Sequence, residues 1–230
     1  MADPEGAIIQ RDGKTYAVVT RSPAGVVTPE HLEKVARIAR KYRIPTIKIT
    51  AGQRIALIGI APGDVAGVRA DLGTDAEQTG GPCVKYVQAC PGNDTCRHGI
   101  ADSIGIAKTL AEKYAGSTFP AKIKIGVSGC PRSCGESRIR DIGLLATAKG
   151  WTVLFGGNGG TKPRFGDLVA KNLPTGEALD LVDRLLTHYK INAKPHERTA
   201  RYMERAGLDT LKSELLRFIP YIILDDVKPH

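Results

Sequence analysis

Aromatic residues are scarce in this chain, at 5% of 230 residues, with Trp151 the single tryptophan. Long hydrophobic runs are missing as well. No stretch approaches the roughly 20 apolar residues that a bilayer-spanning helix needs. The start, Met1–Gly6, is polar and lacks the basic-then-apolar pattern of a secretory signal. These absences speak against a membrane protein and lead us to expect a cytoplasmic one. The 26 glycines cluster in patches and follow no fixed period, which excludes collagen-like and solenoid architectures. No G-x-G-x-x-G opens a helix after a strand, so no nicotinamide or flavin site is expected. Cysteines number five. In a reducing compartment they are poor disulfide candidates, and their spacing is better read as metal or catalytic chemistry.

The hydrophobic fraction of 42% is that of an ordinary globular protein. The length permits one large domain or two small ones packed together. The formal charge of +9 fits a solvated basic surface, a nucleic-acid partner, a polyanionic cofactor or a small anionic substrate. The positive residues form no obvious arm and have no aromatics interleaved with them, but composition alone leaves that choice open.

Along the chain, Ile8–Ile9 and Tyr16–Thr20 flank Asp12-Gly13, a hairpin turn signal. Thr28-Pro29 reads as a helix start, with Leu32, Val35, Ala36, Ala39 and Tyr42 at helical spacing and Pro45 as the stop. Strands are expected at Thr46–Thr50 and Ile55–Ala61, then a short helix over Gly63–Leu72. This strand-strand-helix-strand-strand-helix order suggests a ferredoxin-like half-module over residues 1–75. A polar joint, Gly73–Gly81, follows. Beyond it, Ile100, Ile104, Ala107, Ala111 and Tyr114 line a helix face. Lys122–Val127 alternates strictly, with Lys122 and Lys124 on the face opposite Ile123, Ile125 and Val127. Further strands are expected at Ile142–Thr147 and Thr152–Phe155, with a flexible glycine-rich loop at Gly156–Gly166. Helices are expected near Thr175–Tyr189, Glu197–Ala206 and Asp209–Arg217. The tail, Phe218–Leu224, is apolar enough to dock as a strand or plug. The fold class is α+β, divided as a first module, a cysteine-bearing α+β domain over 80–200, and a C-terminal helix and tail over 201–230.

Four cysteines fall in two close pairs, C-x5-C at Cys90 and Cys96 and C-x3-C at Cys130 and Cys134. A cubane cluster needs one protein sulfur per iron, so four thiolates suit a [4Fe–4S] centre. Pro91, Gly92, Gly129, Pro131 and Gly135 keep the backbone small enough for amide groups to approach cluster sulfides. Structural zinc, whose paired cysteines stand two to four residues apart, fits the five-residue gap poorly. Free buried thiols would not account for two pairs framed by Pro and Gly. Cys83 is left over and reads as a buried hydrophobe.

With its G-P-C-V-K-Y-V-Q-A-C before the first gap and K-I-K-I-G-V-S-G-C-P-R-S-C at the second, this pattern resembles the nitrite and sulfite reductases. Thr50-Ala51-Gly52-Gln53-Arg54 and the loop Gly156-Gly157-Asn158 share the resemblance, which is strong from Pro45 to about Gly166. It implies a siroheme joined to the cluster through the thiolate of Cys134. Arg97, Gly156, Gly157 and Asn158 are then candidates to hold the cofactor. Siroheme carries eight carboxylates, which accounts for the basic charge without nucleic acid.

The resemblance also implies a ring of cations that binds sulfite or nitrite and supplies or relays protons. Lys122 and Lys124 match the family's paired lysines, and Lys85 falls where larger relatives carry an arginine. Arg54 completes the candidate set. The larger assimilatory enzymes place an arginine two residues earlier, at the position of Gly52. T-A-G-Q-R looks more like the siroheme domain of the NADH-dependent nitrite reductases. The expected activity is six-electron reduction of sulfite to sulfide, with nitrite to ammonia as the alternative. A protein that only carries siroheme or passes electrons on is the rival of a different class. The expected partners are the small oxyanion and an external donor such as a ferredoxin, flavodoxin or reductase subunit. A homodimer that rebuilds the two-module arrangement of larger relatives is a further expectation.

Overall fold

The computed structural model describes residues 6–77 and 81–215. The expected tail at Phe218–Leu224 and the end of the helix expected to reach Arg217 lie outside the described residues.

The first module is a four-stranded antiparallel sheet in the order β1-β2-β4-β3, built from Ile8–Ile9 (β1), Tyr16–Val19 (β2), Thr46–Ile49 (β3) and Ile55–Ile60 (β4). Helices α1 (Pro29–Lys41) and α2 (Val65–Leu72) cover one face. The Thr28 side chain accepts from the His31 amide at 3.2 Å and Pro29 takes the first helical position, as the sequence anticipates. Val35 and Ile38 of α1 meet Val18 and Leu57 of the sheet and Val68 and Leu72 of α2 in one core. Leu32 departs from expectation. Although on helical spacing, it is 48% exposed, because the core-facing stripe runs through Val35, Ile38 and Ala39.

The second unit is a five-stranded mixed sheet, β5-β6-β7-β8-β9, formed by Val84–Ala89, Ile123–Ser128, Ile142–Thr147, Gly150–Phe155 and Asp167–Leu173. The pairs β5/β6 and β6/β7 are parallel, and β7/β8/β9 antiparallel. On one face, Ile123, Ile125, Val127, Ile142, Leu144, Val153 and Phe155 bury against α3 (Ser103–Lys113) and α4 (Thr175–Asn192). Helices α5 (Thr199–Ala206) and α6 (Leu208–Leu215) close the far end. The opposite face of the parallel half carries Tyr86, Gln88, Lys124, Gly126 and Ser128, and loops cover it instead of helices.

Several expectations change here. Strands β5 and β9 have no counterpart in the sequence reading. The helix expected from Ile100 begins at Ser103, capped by Asp102, which accepts from the Gly105 amide at 2.7 Å. Ile100 lies before it, 51% exposed, with its amide bonded to Gly129 O at 2.8 Å. Lys122 stands one residue before β6. The glycine-rich loop is pinned at its ends. Asn158 and Arg164 exchange backbone hydrogen bonds at 3.0 and 2.9 Å, and Arg164 also bonds Gly156 O and Asp167.

Candidate active site

The cysteines sit on the two loops that leave the carboxyl ends of the parallel strands β5 and β6, the usual place for a site in such sheets. The loops are stitched together by backbone. Gly129 N donates to Cys90 Sγ at 3.1 Å, Ile100 N to Gly129 O at 2.8 Å, and Cys96 N to Gly92 O at 3.1 Å. Side chains would not fit in the seam. A Cβ on Gly99 would lie 2.1 Å from Gly92 O, and one on Gly129 would lie 2.6 Å from Ala101 O. Ser103 locks the base of the first loop by donating to Cys90 O at 2.7 Å. After Cys130 the chain turns through Ser133 and Glu136, both in the left-handed region at φ 60° and 55°. It then folds back over the polar face, where Gly135 N donates to Ser128 Oγ and Ser128 meets Ser137. Cys90 and Cys130 are buried, Cys96 is half-buried and Cys134 is exposed, and all are free thiols. Among the described residues no three Cys, His, Asp or Glu draw together around one ion. Cys83 is half-buried in the inter-sheet cavity, not in the core.

The cations gather one stretch of strand away, around Tyr86. Its cross-strand neighbour is Lys124. The Lys124 ammonium lies 5.6 Å from the ring centroid, the Arg54 guanidinium 5.0 Å and that of Arg140 5.4 Å. Arg54 arrives from the first module. It pairs with Glu77 and donates to Lys85 O at 3.2 Å. Lys85 is the extra residue of a bulge, since Val84 pairs with Ile123 but Tyr86 already with Lys124. Such bulges re-aim side chains beside active sites. Lys85 and Arg54 line a cavity of about 730 Å³ between the two sheets, with Arg21, Arg69 and Glu77. Burial raises the Glu77 carboxyl despite Arg54 beside it.

The arginines and lysines divide clearly. Arg54, Arg140 and Arg198 pair with Glu77, Glu136 and Asp141. Among the described residues no carboxylate lies in ion-pair contact with Lys85, Lys122 or Lys124. Burial, and after it the charges of Arg140, Arg198 and Lys122, push the Lys124 amine below its ordinary range, while Asp141 opposes them. Arg97 is exposed and touches His98 at 3.1 Å. Gly156 N bonds Asp141 O, and Gly157 packs on the Arg140 backbone, so this loop buttresses the polar face from below. Asn158 spends its side chain inside its own loop, on Lys162 O and Gly160 N. The sequence reading missed Tyr86, Gln53, Arg140, Asp141 and Arg198. Asp141 is 1% exposed and takes hydrogen bonds from Arg198, Thr199 and the Lys124 amide. Its signal, a charged pair leading into an apolar strand, is too common to single out.

Comparison with known proteins places this geometry. Residues 80–218 match the profile of the nitrite and sulphite reductase 4Fe-4S domain, and residues 8–74 that of the nitrite/sulfite reductase ferredoxin-like half domain. The chain belongs to the nitrite and sulphite reductase family. It is 46% identical over 214 residues to an assimilatory-type sulfite reductase of Nitratidesulfovibrio vulgaris, covering 93% of this chain and 98% of that protein. A nitrite reductase [NAD(P)H] of Bacillus subtilis is 41% identical over 91% of this chain, which spans only 26% of that protein. Among solved structures, dissimilatory sulfite reductase I superposes with a TM-score of 0.75 at 12% identity, covering 94% of this chain and 72% of that one. The Mycobacterium tuberculosis NirA protein gives the same score at 16% identity, covering 94% and 43%. At these identities the likeness concerns the fold.

Family membership brings a [4Fe–4S] cluster and siroheme to this chain, and its residues fit both. The interlocked, glycine-lined loops bring thiols and backbone amides close together, as Gly129 N on Cys90 Sγ shows. On the polar face, the Nε atoms of Arg54 and Arg140 are buried without any acceptor. Arg140 as a whole is 7% exposed. Orphaned cationic donors beside an unpaired lysine are what an anionic group would satisfy. No helix among the described residues is long and apolar enough to cross a membrane.

Proposed function

We propose that this chain reduces sulfite to sulfide with six electrons, at a [4Fe–4S] cluster held by Cys90, Cys96, Cys130 and Cys134 and coupled through Cys134 to siroheme. The observation that carries this reading is the match to a sulfite reductase over nearly that protein's whole length. When bound, the two groups would relay the external donor's electrons to the oxyanion and offer it a metal site. The chain's own part is to bind the oxyanion and manage protons. Lys85, Lys122 and Lys124 offer charge that no carboxylate has neutralised. The lowered Lys124 amine gives up a proton more readily than an ordinary lysine. Arg54, tied to Glu77 and to the Lys85 carbonyl, acts by shaping the bulge more than by reaching substrate. Arg97, exposed beside Cys96, is assigned to the cofactor's carboxylates. Gly156 and Gly157 support that cofactor's floor through Asp141 and Arg140, and Asn158 keeps their loop closed.

Nitrite is the second reading, favoured by several nitrite reductase [NAD(P)H] relatives near 40% identity. Turnover by the cofactor-loaded protein with a reduced viologen dye separates the two. We expect sulfide from sulfite with the higher kcat/KM, and a preference for nitrite would replace the assignment. Electrons come from an external donor of the ferredoxin, flavodoxin or reductase-subunit class. We place the protein in the cytoplasm, where its free thiols stay reduced. A twofold homodimer in which each copy lends lysines to the other's heme remains our proposal for its assembly.

A further inference from the structure

We propose that Tyr86 is a positioning residue for the oxyanion-binding Lys124, its ring holding that ammonium in one array with the guanidiniums of Arg140 and Arg54. For its functional consequence this rests on the reading of Lys124 given above; the contact itself does not depend on it.

Three cations within about 6 Å of one centroid repel one another, and something must offset that repulsion. Two of them have carboxylates, Glu77 on Arg54 and Glu136 on Arg140. Lys124 has none. Every charged or titratable group that faces it can be named. Lys122 lies on its own segment, Tyr86 on β5, Arg140 with Glu136 on the returning loop, Asp141 at the start of β7, and Arg198 at the start of α5. Three of these six groups are cations. Of the two carboxylates, Asp141 spends both its oxygens on Arg198, Thr199 and the Lys124 backbone amide. Glu136 is taken by Arg140. The electron-rich face of Tyr86 is therefore the attractive surface left for the ammonium.

The ring is itself fixed. A Cβ at Gly52 would lie 2.7 Å from Tyr86 Cδ1, so the ring seats directly against the backbone of the first module's turn. The Arg140 stem is set in the same way, since a Cβ on Gly126 would approach its Cγ to 2.9 Å. The Tyr86 ring and Lys124 thus lie on one face of two adjacent strands with the Arg140 guanidinium against the ring, ring and guanidinium each placed by a neighbour that lacks a side chain. Burial raises the Tyr86 phenol, which keeps the ring neutral at working pH.

The test grades the ring's charge without changing its shape. Tyr86→Phe is made first, followed by phenylalanine analogues with one, two and three ring fluorines at position 86. Lys124 is followed by carbon NMR of the reductively methylated holoprotein, its signal identified by loss in Lys124→Gln. Tyr86→Phe should leave the Lys124 titration midpoint in place. The fluorinated series should lower it stepwise, by about half to one and a half pH units in total. The KM for sulfite should rise in step while siroheme absorption stays constant. A flat series of midpoints, or a Tyr86→Phe shift as large as that of the trifluoro variant, overturns the proposal. If midpoints move and KM does not, the array stands and the assignment of Lys124 to the oxyanion falls.

Discussion

Asp141→Asn removes one charge at the point where three elements meet, and its cost can be worked from the hydrogen bonds. Oδ1 accepts from Arg198 Nη2 at 2.9 Å, from Arg198 Nε at 3.3 Å and from Thr199 Oγ1. Oδ2 accepts from Arg198 Nη2 at 2.8 Å and from the Lys124 amide at 2.9 Å. Every partner is a donor. An asparagine must turn its NH2 toward one of these sets, so the Arg198 guanidinium meets a second donor in either orientation. In one of them the Lys124 amide does too, while the Thr199 hydroxyl can rotate to accept. Arg198 meanwhile loses its counter-charge. Breaking a buried pair costs about 3–5 kcal/mol. The Arg198 side chain keeps 27% exposure, so water recovers part of this and about 3 kcal/mol is expected. That is a large share of the roughly 5–15 kcal/mol that holds a typical domain. Urea unfolding followed by circular dichroism measures it. Adding Arg198→Met to Asp141→Asn should restore at least half of the loss, because the uncompensated charge is then gone. A loss below about 1 kcal/mol, or strictly additive effects of the two changes, would refute the reasoning.

Four further outcomes bear on the site. Cys134→Ser should lose siroheme together with the cluster, whereas Cys83→Ser should keep both; iron, labile sulfide and heme absorption decide, and the reverse pattern would overturn the ligand assignment. Lys122→Gln with Lys124→Gln should cut sulfite turnover about 100-fold with the heme spectrum intact; unchanged kinetics would return both to solvent. The single Lys124→Gln variant should melt slightly higher than the parent at neutral pH. The folded amine lies below its ordinary 10.5, so at neutral pH burial of the ammonium opposes folding, and that penalty fades only as pH climbs from the folded value toward 10.5. A lower melting temperature at pH 7 contradicts this. Gly129→Ala drives a Cβ of the second loop into Ala101 O of the first; overpacking of about 1–3 kcal/mol should speed cluster loss to a chelator, and an unchanged loss rate would mean the two loops are not interlocked.

Local chemistry made much of this fold legible. Thr28-Pro29 marked the start of α1, and the alternation of Ile123, Ile125 and Val127 against Lys124 marked which face of β6 is core. What the sequence hid has physical causes. Strand β5 escaped because V-K-Y-V-Q-A carries a bulge at Lys85, and an inserted residue destroys the period of two by which a strand is recognised. Leu32 misled because helical spacing gives a stripe's direction without saying where the opposing sheet ends. The cysteine pairs stood out because C-x5-C and C-x3-C framed by Pro and Gly is a rare local pattern that needs no tertiary contact to be noticed. Tyr86, Arg140 and Asp141 could not, because their roles arise from contacts across 38 to 57 positions of chain, Tyr86 with Lys124 and Asp141 with Arg198.

The first module belongs to the site through three consecutive residues. Thr50–Arg54 is a tight hairpin, closed by Thr50 N on Arg54 O at 2.8 Å and Gln53 N on Thr50 O at 3.0 Å, with Gln53 at φ 59°. Gly52 seats the Tyr86 ring. The Gln53 side chain both donates to Ala89 O at 2.8 Å and accepts from Ala89 N at 3.0 Å, pairing the open edge of β5 one residue before Cys90. Arg54 holds the Lys85 carbonyl at the bulge. One stiff turn therefore fixes β5 at its cation end, its middle and its thiol end at once. A rigid shift of that turn must displace Lys85, Tyr86 and Cys90 together. The distance between the Cys90 thiol and the cations around Tyr86 is thus set by the length of one strand clamped from outside.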